Sequence, residues 1–439
     1  MKNRVRLGVS AVASPLEVGA SEAPVLRERL LQTLASASDY LDLFPAAQIV
    51  GDPATAAEAG RYFHDQRVDA VCVVAATWFE DYLVLDLLEE CAAPVILWGR
   101  PGMETGSLCG MQQLAYYLKN LGQPYCFLFD DLGSETARDR AWAYASAAAL
   151  RQQLRRARIG FLGHRVEGMT DTTAHELALK KLFGPRVVGI DSHLFLERAA
   201  RVLPESVKPG WEQLQREVGQ VTATAEAGID ALRIHTALKA VIEEGDLSAV
   251  AVGCYPHLMG KVCLGISLLG EVGVPVACEG DINGALGMLI LTRLTGQPVH
   301  NTDFLDPIPA ENSIVFSHCG SGGFSLAVDP SQITLGPVRI MNCGVCALFP
   351  ARPGPVTLIN ITASHTGYRM AALYGEAIET NMIFPGNPLR VRFQADFRTI
   401  IDWIAREGLG HHWMAGYGDW RQTLGDLAGL TGCEWLTLA

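Results

Sequence analysis

The sequence predicts an α/β protein, with two open parallel α/β (Rossmann-like) domains followed by a C-terminal β-rich, barrel-like domain. Three observations lead there. At 439 residues the chain exceeds the size at which one hydrophobic core stops growing. Its first two-thirds repeats one cadence of apolar run, turn and helical pattern, which is the signature of a parallel sheet covered on both faces. From residue 312 onward the runs shorten and Gly and Pro turns separate them, as in an antiparallel sheet or small barrel. Expected boundaries are 1–156, 157–298 and 299–439.

In the first domain, strands are expected at 5–12, 68–76, 93–99 and 125–131, with helices at about 24–38, 54–65, 78–90 and 108–121. A long helical stretch at 134–157 leads into a second round, whose strands are 158–164, 186–192, 247–254 and 274–279. Asp281 opens an amphipathic helical pattern to about 296. A last helix is expected at 396–407, ahead of the glycine-bounded "GHHWMAGYGDW" at 410–420.

Composition narrows the function. A formal net charge of −12 argues against a nucleic-acid partner, because phosphate binding draws on clustered Lys and Arg. The basic cluster at 151–160 is first of all a solvated helix face. The N-terminus lacks a secretory apolar stretch, and no run approaches the roughly 20 apolar residues of a membrane helix. A cytoplasmic enzyme with no membrane partner is therefore expected. The 11 cysteines lie mostly in apolar runs, where a thiol packs as a small hydrophobe. The one CxxC pair, Cys343 and Cys346, lacks the second pair of a structural zinc site.

"CEGDINGAL" at 278–286 is the most informative stretch. Glu279 ends an apolar strand, where desolvation is costly unless a proton or a cation compensates it. Asp281 is first of all a helix N-cap. Asp303 and Asp306 follow, and then His318, His365, His411 and His412. A few carboxylates with one or two imidazoles suit Mn²⁺, Co²⁺ or another hard-to-borderline divalent ion. The glycine loop "HCGSGGF" at 318–324 matches no phosphate-binding pattern and is expected to be a tight β turn. Trp413, Tyr417, Trp420 and Asn360 could pack against or hydrogen-bond a polyol, although core packing is the commoner role of such Trp residues.

"VPVACEGDINGALGMLILTRLTGQPV" with "NTD" after it, "GHRVEGMTD" at 163–171 and the late "HHWMAGYGD" together resemble the L-fucose and L-arabinose isomerases. The resemblance covers most of the second half of the chain; "ETGSLCG" at 104–110 is a fainter echo. It implies a metal-dependent aldose–ketose isomerase of carbohydrate metabolism, using Mn²⁺ foremost, with a monosaccharide substrate. It implies Glu279 and Asp303 as catalytic carboxylates that also ligate the metal, with His412 as the late histidine ligand. His318 occupies the region where arabinose isomerases place a further histidine. The doubled His411 and His412 leave the ligand's register open by one. The resemblance also implies Met169 as a substrate contact and a homo-oligomer, trimer or hexamer.

Moving a carbonyl between C1 and C2 through a cis-enediol needs a divalent cation to stabilise the developing charge and two carboxylates to move protons. The same acids could serve a metal-dependent aldolase or hydrolase. Paired α/β domains also suit a non-catalytic sugar-binding protein.

Overall fold

The computed structural model describes residues 4–438, which divide into two compact units. Residues 4–153 form one of them, joined by Gln422–Thr431 from near the end of the chain. Its sheet is parallel throughout and runs in the order Leu41–Pro45, Val5–Val12, Ala70–Ala75, Val95–Gly99, Tyr125–Phe129. The central strands are buried on both faces, as their unbroken apolar sequences require. The edge strand Leu41–Pro45 is half-buried and gave no continuous apolar signal. Asp426, on the returning helix, makes a two-pronged ion pair with Arg140 at 2.7 and 2.8 Å.

Residues 154–421 and 432–438 form the other unit, which carries every candidate site residue. Its parallel sheet runs in the order Val276–Ala277, Ala249–Val252, Arg158–Leu162, Arg186–Ile190. A mixed sheet of seven strands follows, in the order Gly354–Ser364, His412–Tyr417, His300–Ile308, Ser313–Ser317, Leu389–Arg392, Gly367–Ile378, Glu434–Thr437. Gly354–Ser364 also pairs with Gly367–Ile378, so six of these strands close into a ring. Closure removes the unpaired edges that an open sheet of this length would expose.

The helix Ile282–Thr295 departs from its expected character. Rather than amphipathic, it is buried almost all round, from Ile282 to Thr292 without a break. A helix apolar on every face is one with neighbours on every face. Here Gly287 lets it approach Met414 and Ile359 of the mixed sheet, while its first residues cap the strand end at Glu279. His300–Ile308, expected only as a segment past the helix, is a nine-residue strand. Asp306 lies on it beyond a bulge in its pairing with Ser313–Ser317.

All 11 cysteines are unbonded thiols. Among the described residues no helix is long and apolar enough to cross a membrane.

His300 opens the strand fully buried, and neither ring nitrogen has a hydrogen-bond partner. Burial, with a smaller contribution from the Arg352 charge, pushes its pKa down to about 3 from 6.5. A depressed histidine pKa means that the unfolded chain binds the extra proton first, so stability present above pH 6.5 is lost progressively as pH falls toward 3. His300→Leu is expected to remove about 2 kcal/mol of the stability lost between pH 7 and pH 5 in urea unfolding. An unchanged pH dependence would refute the buried neutral ring.

Candidate active site

The mixed sheet assembles three of the four expected ligands by register alone. Asp303 pairs with His412 on one side and with Ser317, the neighbour of His318, on the other. The fourth arrives from the parallel sheet, whose strand Val276–Ala277 ends two residues before Glu279. Glu279 and Gly280 both adopt left-handed backbone, at φ 61° and 71°. For a non-glycine residue this costs on the order of 1–2 kcal/mol. Gly280 N–H donates to Val252 O at 2.9 Å, Asp281 N–H to Cys278 O at 3.1 Å, and Glu279 N–H to Cys254 Sγ at 3.4 Å, which holds the turn.

Glu279 Oε2 lies 3.2 Å from His412 Nε2 and 4.0 Å from His318 Nε2. Asp303 Oδ1 lies 3.5 Å from His412 Nε2 and 3.9 Å from His318 Nε2. Glu279, His318 and His412 form a buried floor, while the Asp303 side chain is 30% exposed and faces the open side. Donors bound to one ion at about 2.0–2.3 Å stand roughly 3–4 Å apart, and two groups sharing His412 have donor atoms close enough for a divalent cation of borderline character: Glu279 with His318, and Asp303 with His411.

Asp281 performs two tasks. Its Oδ1 accepts the Gly284 N–H at 2.8 Å as the helix N-cap, and its Oδ2 accepts His412 Nδ1–H at 2.9 Å. The second bond turns His412 Nε2 toward Glu279 and fixes the ring as carboxylate partners fix metal-binding histidines. Burial opposes a charge on His412, but Asp281, Glu279 and Asp303 together raise its pKa well above the usual value. Burial likewise pushes the Glu279 carboxyl up, and is outweighed by the His412 hydrogen bond and the charges of His318, His412 and His411. A site that holds a proton between carboxylates offers the same lone pairs to a cation once that proton leaves.

His411 takes a different position from His412. Its Nδ1 is 2.6 Å from Asp171 Oδ2, its ring centroid is 4.1 Å from that of His412, and its side chain is 39% exposed. His412 thus lies in the buried floor, common to both candidate donor groups, and His411 lies at the rim in the group with Asp303.

The aromatic candidates are not brought to this cluster. Alternation along His412–Tyr417 sends Trp413 and Tyr417 to the opposite face. There Trp413 is fully buried against Trp403, and the Tyr417 hydroxyl donates to Arg352 O at 2.5 Å. Asn360 instead clasps backbone, donating to Gly410 O at 3.1 Å and His412 O at 2.7 Å. Met169 precedes the short turn Thr170–Thr172, in the same loop as Asp171. The Asp171–His411 pair was not legible, since its partners lie 240 positions apart.

Asp281→Ala is expected to cost about 1 kcal/mol in urea unfolding through the lost cap, and to weaken binding of added Mn²⁺ by about 10- to 100-fold in calorimetry. Asp281→Asn should keep most of the cap and still lose metal affinity. Equal Mn²⁺ affinity in wild type and both variants would contradict the second task.

No family model matches the chain. It is similar to the sulfoquinovose isomerase of Alkalicoccus urumqiensis, 26% identical over 362 residues covering 80% of this chain and 82% of that protein. The sulfoquinovose isomerase of Priestia aryabhattai is 25% identical over 380 residues, covering 84% and 85%. That of Clostridium sp. (strain MSTE9) is 26% identical over 359 residues, covering 79% of each. Among solved structures, an ABC transporter periplasmic solute binding protein from Actinobacillus succinogenes 130z with bound D-allose is 12% identical, covering 67% of this chain and 93% of that one. Its TM-score of 0.19 carries no inference about fold. The similarity to sulfoquinovose isomerases over about four-fifths of the chain supports an aldose–ketose isomerase enzyme.

Proposed function

We propose that the chain is a divalent-metal-dependent aldose–ketose isomerase that works through a cis-enediol. The observation that carries this is that Glu279 and Asp303 each approach both His318 and His412 to within 4.0 Å, with Glu279, His318 and His412 buried and Asp303 partly exposed. Glu279, His318 and His412 form one donor group that could hold a cation, and Asp303, His411 and His412 another, sharing His412; the proposed cation, Mn²⁺ foremost, would sit where the two groups meet. When bound, it supplies the positive charge that stabilises an enediolate developing across C1 and C2.

The chain's own groups do the rest. Of the two carboxylates, one takes the C2 proton and returns it to C1, and the other moves the proton between the two hydroxyl oxygens. Their surroundings differ, since Glu279 is buried and Asp303 is partly open. The reaction needs one of them as base and the other as acid. Asp281 orients His412, and Asn360 pins the backbone that carries it. Met169, in the loop at the rim, is proposed to contact substrate.

For the substrate, the resemblance to fucose and arabinose isomerases points to a neutral monosaccharide. The relatives named for sulfoquinovose point to a hexose ending in a sulfonate. Similarity over four-fifths of the chain favours the second. We place the enzyme in cytoplasmic carbohydrate metabolism, as a homo-oligomer of three or six subunits.

Incubation with Mn²⁺ and sulfoquinovose, L-fucose or L-arabinose in D₂O is expected to give a ketose isomer, identical to the aldose in composition apart from exchanged deuterium. Glu279→Gln should lower kcat by about 10²- to 10⁴-fold without shifting urea unfolding. Carbon–carbon cleavage or phosphate release from a wider panel would point to an aldolase or hydrolase. Tight, chelator-insensitive sugar binding without turnover would point to a binding protein.

A further inference from the structure

Aldoses of five or six carbons exist in water almost wholly as closed hemiacetals, and proton transfer between C1 and C2 requires the open chain. Glu279 and Asp303 account for the transfer but not for the opening. Given the isomerase function proposed above, a ring-opening group belongs at the rim, beside Asp303 and open to solvent, with a nitrogen left free.

His411 meets each requirement. A ring nitrogen of His411 lies within 4.8 Å of an Asp303 carboxylate oxygen and of a His412 ring nitrogen. Its Nδ1 is engaged with Asp171 Oδ2 at 2.6 Å, and the same oxygen accepts the His411 backbone N–H at 3.1 Å. One carboxylate therefore fixes both the ring and the chain that bears it. Gly410 permits the approach, because a Cβ there would stand 3.0 Å from Asp171 Oδ2. Asn283, in the first turn of the buried helix, donates to Thr173 O at 3.1 Å and secures the Asp171 loop. The hydrogen bond from His411 holds the Asp171 carboxyl down at about 2, so it remains an acceptor. In the neutral tautomer that donates Nδ1–H to that carboxylate, Nε2 carries the lone pair.

We propose that His411 and Asp171 form a general-base dyad that opens the cyclic sugar, giving the protein an anomer-interconverting activity separable from isomerisation. His411 Nε2 takes the proton of the anomeric hydroxyl. The O1–H pair becomes the second bond of the C1 carbonyl, the C1–O5 pair leaves with O5, and O5 takes a proton from water. The imidazolium, stabilised by Asp171, returns its proton to solvent, so no proton or electron is gained or lost overall. Closure on either face of the carbonyl then yields either anomer.

The test is exchange spectroscopy between the H1 signals of the two anomers, run at isomerisation equilibrium on the Mn²⁺-loaded enzyme with [1-¹³C]sulfoquinovose and with [1-¹³C]L-fucose. Wild type is expected to exchange the anomers of at least one sugar well above the buffer rate. In His411→Gln and in Asp171→Asn that acceleration should fall by about 100-fold or more. Mn²⁺ affinity by calorimetry should stay within about twofold of wild type in both, which also reports that the site is folded. Wild type that isomerises a sugar without accelerating its anomer exchange overturns the dyad and leaves the isomerase standing. Acceleration without any ketose keeps the dyad and removes the isomerase; absence of both removes both. Full exchange in either variant overturns the dyad, as does loss of Mn²⁺ affinity in His411→Gln, which would make His411 a metal ligand.

Discussion

His412 is gripped at both ring nitrogens, by Asp281 at 2.9 Å and Glu279 at 3.2 Å, and the site depends on that grip. It ties a strand of the mixed sheet to the end of a parallel strand and the N-terminus of the buried helix that follows it, both more than a hundred residues earlier in the sequence. Three carboxylates gathered in a largely dry site repel, and the imidazoles of His412 and His318 among them offset only part of that repulsion. The arrangement persists because each carboxylate has other work. Asp281 caps a helix, Asp303 sits between two paired strands, and Glu279 belongs to a turn held by hydrogen bonds from Gly280 and Asp281.

That turn shows where energy is stored. A glutamate at φ 61° followed by a glycine at 71° is a conformation the chain would not choose locally. Gly280 is required twice over, by its positive φ and because a Cβ would stand 2.6 Å from His164 O. Such strain survives only when the surroundings over-determine the backbone, and it clusters where chemistry is done. Its effect here is to aim the Glu279 carboxylate back over the strand end, at the imidazoles.

Much of this was legible along the chain wherever one physical cause dominated. Continuous apolar strands such as Ala70–Ala75 and Val95–Gly99 announced a parallel sheet, and the cost of ending such a strand in Glu279 announced chemistry. Competing causes hid the rest. Leu41–Pro45 is a half-buried edge, so its pattern was diluted. His300–Ile308 carries two acids and a proline because it lines a site and is bulged, and therefore resembled a loop. The helix after Asp281 looked two-faced only because small residues such as Gly284 and Gly287 mark close approach rather than exposure. Period-two alternation would have told His412 from Trp413 once that stretch was recognised as a strand. The bonds from Asp281 to His412 and from Asp171 to His411 leave no local trace, because a hydrogen bond across 131 or 240 positions has no spacing to betray it.

The helix at Gln422–Thr431 belongs to a unit whose sheet ends at Phe129. During synthesis, everything up to Arg421 leaves the ribosome before that helix can dock. The first unit therefore waits, incomplete, with Arg140 lacking its Asp426 partner while the second unit gathers its strands. Clipping the chain ahead of Gln422 would register first in the unit that was synthesised earlier.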